Sequence, residues 1–317
     1  MDFIEFRVGP DDLNRRADKV IKKIINHQNL SSIYKAIRKN LIKINDKKIK
    51  PEQLISHNDV IKIASFLLKN NDENQNQTDT QITKTLPLPK IIFQNEDILF
   101  INKPYNTLVQ KACKNDVSLD DLIKQYYKEN QKNTSLSFMP GPLHRLDKNT
   151  TGILAFSWSL KGAHWFSKNM QNHNIKKNYI GIVQGNLKEE QVWKDTINKE
   201  YSSKKSFQTV KIQTLVENNA HTIITPLKHG VYKNQEFTVV QFQILTGKTH
   251  QIRSQSAFHG FPLLGDSAYN AKKQDFSREY FLHAKTLFLP ENNELCLPSK
   301  IESPLFSDMQ EFINTYS

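Results

Sequence analysis

Cysteine is nearly absent: Cys113 and Cys296 are the two thiols in a chain of 317 residues. They stand in unrelated contexts with none of the paired spacings that build metal sites, which argues against a disulfide framework and against a metal centre. Long apolar runs are missing as well, and no stretch approaches the roughly 18 residues of a membrane span. The opening Met-Asp-Phe-Ile-Glu-Phe-Arg has no apolar core of signal-peptide length. A cytoplasmic protein with reduced thiols and no membrane partner is the expectation. Acidic residues are in deficit, 32 Asp+Glu against 44 Lys+Arg, leaving a net charge of +12. Such an excess favours polyanionic partners, because each neutralised phosphate releases counterions and the field steers association. The same Lys- and Asn-rich composition also runs through segments that read as inert linker.

One such segment is 69–89. From Lys69 to Thr85 its one large apolar residue is Ile82, too little to order it, and Leu86-Pro87-Leu88-Pro89 then favours extended backbone. Residues 1–68 read as a small N-terminal domain with its core at 13–64, and 90–317 as the main domain. In the first, Val20, Ile21, Ile24 and Ile25 recur at helical spacing, and Ser31 or Ser32 can cap a second helix carrying Ile33, Ala36 and Ile37. Leu41 to Asn45 and Val60 to Ile63 alternate like strands.

In the main domain, strands are expected at 91–93, 98–101, 153–156, 179–183, 209–212, 221–225 and 238–245, with a tight turn at 94–97. Helices fit 118–128, 163–172 and 251–259. Many strands with few intervening helices predict an α+β domain on a mixed, largely antiparallel sheet flanked by helices and loops.

Chemistry concentrates in Pro142-Leu-His-Arg-Leu-Asp-Lys-Asn-Thr-Thr-Gly-Ile-Leu154, a turn-like loop with one carboxylate, Asp147, running into an apolar strand. Taken alone, Asp147 reads as a turn cap and Arg145 as its solvated neighbour. A second motif is Leu245-Thr-Gly-Lys-Thr-His-Gln-Ile-Arg253, followed by His259-Gly-Phe-Pro-Leu-Leu-Gly-Asp266 and Tyr269. Supporting blocks are Asn102-Lys103-Pro104, Lys176-Lys-Asn-Tyr179 with Val183-Gln-Gly185, and Phe281-Leu-His-Ala284.

In this order the blocks resemble the RluA-type pseudouridine synthases across residues 90–290, with the HRLD loop and the motif ending at Arg253 as the two strong elements. The N-terminal order of two helices and two strands resembles the S-four RNA-binding domain, with Asn40 and Asp46 standing where that domain commonly has glycine. Together they resemble the branch that acts on large-subunit ribosomal RNA. The resemblance implies an isomerase that detaches uracil from its ribose and rejoins it through carbon five, with no cofactor and no metal.

The resemblance makes Asp147 catalytic, attacking ring or sugar or assisting cleavage; these routes stay open. It pairs Arg253 with Asp147, a pairing that the guanidinium fork can make bidentate, and sets Tyr179 against a flipped-out base. Arg145 enters the space that base vacates. Arg15, Lys19, Arg38, Lys39 and Lys248 are expected to bind RNA, and His144, Thr150, Gly152, His250 and Gln251 to support the loops. Thr151, Lys248, Gln110 and the run Ser254-Gln-Ser256 depart from the usual pattern, which bears on substrate choice. A monomer with ribosomal RNA as partner is expected; a catalytically inactive ribosome-assembly factor or a synthase acting on transfer RNA are the alternatives.

Overall fold

The chain opens with β1 (Phe3–Arg7), a strand outside the sequence reading although Phe3, Ile4 and Phe6 make three of its five residues apolar. The computed structural model describes residues 1–69, 86–130, 135–199, 210–213, 219–272 and 274–317. They divide into two compact units, one of residues 1–87, 120–141 and 159–161, the other of 88–119, 142–158 and 162–317.

In the first unit α1 (Ala17–Ile24) and α2 (Leu30–Arg38) bury Val20, Ile21, Ile33 and Ile37 against β2 (Ile42–Ile44) and β4 (Val60–Ala64), while β3 (Lys47–Lys48) is exposed. The sheet order is β1-β4-β2-β3, all pairs antiparallel. The cap of α2 is Asn29, whose side chain accepts from the Ser32 N–H at 2.8 Å, so the expected cap at Ser31 or Ser32 falls too late in the chain. Asn40 and Asp46 have φ of 57° and 62°, the left-handed backbone that Asn and Asp reach at modest cost. Asp12 is fully buried and accepts from Ser135 Oγ, the Leu136 N–H and Ser137 Oγ, tying residues 135–137 into this unit.

The second unit follows in chain order as β5 (Ile91–Gln94), β6 (Ile98–Lys103), β7 (Thr151–Ser157), β8 (Lys176–Gln184), β9 (Gln191–Lys199), β10 (Val210–Gln213), β11 (Ala220–Tyr232), β12 (Gln235–Ile244), β13 (Leu282–Phe288) and β14 (Lys300–Glu302). Helices α3 (Leu119–Asn130), which from Asp120 onward belongs to the first unit, α4 (Leu160–Gln171), α5 (Gln251–Phe258) and α6 (Ser307–Tyr316) punctuate this order. Among the described residues the strands form one sheet in the order β10-β9-β11-β12-β8-β13-β7-β6-β5, with β14 paired to β13. Its pairs are antiparallel except β13 with β7, as the α+β reading expects.

Trp165 and Phe166 of α4 pack on Ile98, Phe100, Ile153 and Ala155, while Met309, Phe312 and Ile313 of α6 pack on Ile182, Phe237 and Val239. The expected turn at 94–97 closes through Asn95 Oδ1, which accepts from the N–H groups of Asp97 and Ile98, both at 2.9 Å.

Two differences from the sequence reading have plain causes. β11 continues to Tyr232, well past its expected end at Thr225, because Pro226 sits where the register with β12 shifts between Pro226 and Lys228. β9 escapes notice because Gln, Lys and Asp interrupt its apolar positions. β13 is visible in the sequence as a motif rather than a strand, and α6 not at all. Residues 70–85 of the expected linker at 69–89, and Thr209, lie outside the described residues. No helix among the described residues is long and apolar enough to cross a membrane.

Candidate active site

The loop from Pro142 to Thr150 is held to the sheet at both ends before it presents any chemistry. Leu143 N–H donates to the Ala155 carbonyl at 2.8 Å, and Ala155 N–H donates to His144 Nε2 at 3.1 Å. The His144 ring lies parallel to Phe166, 11° between planes, and burial, with Lys177 adding to it, pushes its pKa down to about 3. A ring nitrogen that accepts a backbone proton must be neutral, so geometry and burial agree. The Thr150 N–H donates to the Asp147 carbonyl at 3.1 Å and closes the turn.

Gly152 explains the end of the motif. Its φ is +105°, and a Cβ there would lie 2.3 Å from the Ala284 carbonyl oxygen, so only glycine lets β7 approach β13. Thr151 Oγ1 meets His283 Nδ1 at 2.8 Å across the same junction.

Beneath the turn lies a residue whose role the motifs left unassigned. Lys103 is fully buried, and its Nζ donates to the carbonyls of Pro104 (3.1 Å), Lys148 (2.8 Å) and Thr150 (2.8 Å). Burial, helped by Arg278 and opposed by Asp147, pushes its pKa down to about 7. Three carbonyls accept all three of its protons and hold the turn from below.

Asp147 itself is 28% exposed, and its two oxygens face different partners: Arg253 Nη1 stands 3.4 Å from Oδ2 and His250 Nε2 3.7 Å from Oδ1. The expected bidentate pairing of Arg253 with Asp147 is not what forms. The fork closes on Asp266 instead, with Nε to Oδ2 at 2.7 Å and Nη2 to Oδ1 at 2.9 Å. Tyr269 and Tyr280 cover the guanidinium, its carbon 4.9 and 4.6 Å from their ring centres. Burial works against this cation, but Asp266 outweighs it and the pKa rises. Asp266 was legible only as the end of a motif, and Tyr280, one residue before the Phe281-Leu-His-Ala284 block, gave no signal.

His250, expected to buttress, starts α5 with a left-handed φ of 52°, meets Tyr269 Oη at 2.8 Å through Nδ1, and turns its other nitrogen toward Asp147. Burial and Arg253 lower its pKa against the pull of Asp147. Gln251, expected to support the loops, makes four side-chain hydrogen bonds. Its Oε1 accepts from Thr246 Oγ1 and the Lys248 N–H, and its Nε2 donates to the His221 carbonyl and Thr222 Oγ1.

Tyr179, from the middle of β8, lines the same cleft as Asp147, Arg145, Ile244, Lys248 and Leu282. It is 7% exposed, and burial with the nearby Asp147 charge raises the phenol pKa, so it stays protonated. Arg145 and Lys248 are exposed at the cleft. The departing run Ser254-Gln-Ser256 lies in the interior: Gln255 Nε2 donates to Asp195 Oδ2 and Gln255 Oε1 accepts from Thr222 Oγ1, both at 2.6 Å. In the N-terminal unit Lys19, Arg38 and Lys39 are exposed, whereas Arg15 is half-buried and donates to Ser137 Oγ at 2.8 Å.

This mixed sheet is the pseudouridine synthase fold. It matches the human RNA pseudouridylate synthase domain containing 4 with a TM-score of 0.54 at 20% identity, covering 71% of this chain and 91% of that one. The chain belongs to the RNA pseudouridylate synthase family, whose profile matches residues 97–258, and is thus an isomerase acting on RNA. The ribosomal large subunit pseudouridine synthase C of Rickettsia typhi is 26% identical over 297 residues, 90% of this chain and 93% of the relative. An uncharacterized RNA pseudouridine synthase of Mycoplasma capricolum subsp. capricolum is 28% identical over 300 residues, 88% and 89% of the two chains.

Proposed function

We propose that this protein isomerises specific uridines in large-subunit ribosomal RNA, with Asp147 as the catalytic carboxylate. The observation that carries this reading is the setting of Asp147: partly exposed in the cleft that Tyr179 also lines, with one nitrogen of an immobilised Arg253 at 3.4 Å. The target uridine is flipped out of its stack at a cost of a few kcal/mol and lies on the Tyr179 ring. Arg145, exposed beside Asp147, fills the space it leaves. Arg253 holds the carboxylate through charge without consuming it.

The ribosomal substrate is supported by relatives named ribosomal large subunit pseudouridine synthase C that match nearly the whole chain, from Rickettsia typhi and from Vibrio vulnificus. The N-terminal unit, which resembles an S-four domain, supplies backbone affinity through Lys19, Arg38 and Lys39. The test is to incubate the protein with unmodified large-subunit ribosomal RNA and, separately, transfer RNA, then map pseudouridine by carbodiimide-based sequencing. Signal at discrete ribosomal uridines is expected. Ribosomal RNA that is bound and stays unmodified would overturn the assignment, as would conversion confined to transfer RNA.

A further inference from the structure

Four Lys or Arg side chains are buried among the described residues, and three of them have firm partners: Lys103 in carbonyls, Arg253 in Asp266 and Arg278 in Asp308. Lys177 is the exception. It is 7% exposed, no carboxylate among the described residues pairs with it, and its one hydrogen bond, to the Thr246 carbonyl, is long at 3.4 Å. Burial accordingly pushes its pKa down. A buried charge without a counter-charge is costly, and an arriving anion would relieve that cost in surroundings where its attraction is little screened.

The position of Lys177 indicates which anion. It precedes Tyr179 by two residues on β8, so the two side chains leave the same face of the sheet about 6.6 Å apart along the strand. Above it passes the turn that carries Thr246, Gly247 and Lys248. A Cβ on Gly247 would stand 3.5 Å from Lys177 Nζ, an ordinary separation, and Gly247 is not among the glycines with positive φ. The backbone therefore does not require glycine here. What glycine provides is an exposed position with no side chain over the ammonium, and the next residue, Lys248, is an exposed second cation.

We propose that Lys177, reached past Gly247 and assisted by Lys248, binds a backbone phosphate of the RNA strand beside the uridine held at Tyr179. The site rests on the function proposed above and adds to it a phosphate subsite built on β8 and the turn after β12. An ammonium acts there as a point charge that tolerates any phosphate orientation, which suits a backbone rather than a base.

Binding of labelled, unmodified large-subunit ribosomal RNA fragments, followed by anisotropy over a salt series, tests this with wild type, Lys177→Met and Gly247→Ala. Lys177→Met should raise Kd roughly tenfold and reduce the slope of log K against log salt by about 0.7–0.9, as expected when one phosphate is no longer neutralised. Gly247→Ala keeps the charge but covers it, and should raise Kd in the same direction with an unchanged melting temperature. Wild-type Kd and slope in both variants would overturn the subsite and leave Lys177 a structural ammonium. Because binding is read separately from turnover, a wild-type protein that forms no pseudouridine while Lys177→Met still weakens binding would sink the synthase reading and keep the phosphate site.

Discussion

Arg253 gives its fork to Asp266 and one remaining nitrogen to Asp147: two bonds of 2.7 and 2.9 Å on the first carboxylate, one of 3.4 Å on the second. The division of labour is physical. A guanidinium locked by a buried carboxylate and two aromatic faces has little freedom left, so its free nitrogen holds Asp147 without enclosing it. Asp266→Ala should therefore destabilise the fold by about 3–5 kcal/mol, since it strands a buried cation. Urea denaturation measures this. Arg253→Lys keeps a charge but not the fork, and should slow single-turnover conversion about a hundredfold while RNA affinity stays near wild type.

Asp147→Asn keeps the shape of the turn, whose closing bond uses the Asp147 backbone carbonyl rather than its side chain. Product should fall below detection while RNA binding persists. Both are read from one sample set by pseudouridine mapping and filter binding, and surviving activity would remove Asp147 from the chemistry.

The candidate site was legible in the sequence to the extent that three motif residues, Asp147, Tyr179 and Arg253, line one cleft. It was illegible where the partner lies elsewhere in the chain and interacts only through the fold. Tyr280 covers Arg253 from the position just before the Phe281-Leu-His-Ala284 block, and Lys103 reaches the turn from the far end of β6. The departures at Ser254-Gln-Ser256 were expected to bear on substrate choice; in the structure the run is buried in α5, where Gln255 bonds to Asp195 and Thr222. Strand positions followed apolar alternation closely, except where polar residues break it, as in β9, or where a proline falls within the strand, as Pro226 does in β11.

Gly152→Ala tests how the loop is seated. A methyl at this position must displace the Ala284 backbone, which it would meet at 2.3 Å, and adopt a φ of +105° that L residues avoid. The cost should be at least about 2 kcal/mol. Activity should fall along with stability, because β7 carries the end of the Asp147 turn; the urea midpoint and the single-turnover rate are the measurements.

His283 makes stability depend on pH. It is fully buried against Thr151, and burial pushes its pKa from the ordinary 6.5 down to about 4. Between these values the unfolded chain takes up a proton that the folded chain refuses. Stability contributed by the neutral ring is thus complete above pH 6.5 and is lost as pH falls toward 4, by up to about 1.4 kcal/mol for each unit. Denaturation curves across this window should show that slope, and His283→Asn should flatten it by a similar amount, leaving the part that belongs to His144.

The last prediction separates the cations of the N-terminal unit by what they already hold. Lys19, Arg38 and Lys39 are exposed on or beside α1 and α2, whereas Arg15 donates to Ser137 and helps keep residues 135–137 in place. If the exposed three neutralise phosphates, changing all of them to Gln should weaken binding at every RNA sequence tried. It should also reduce the salt slope by about 0.7–0.9 for each phosphate that is no longer neutralised, with single-turnover conversion at saturating RNA unchanged. Arg15→Gln should instead lower the melting temperature and leave the slope near wild type. A slope untouched by the triple change would move RNA affinity to the unit that contains Asp147, where Arg145 and Lys248 line the cleft and Lys177 lies beside Gly247.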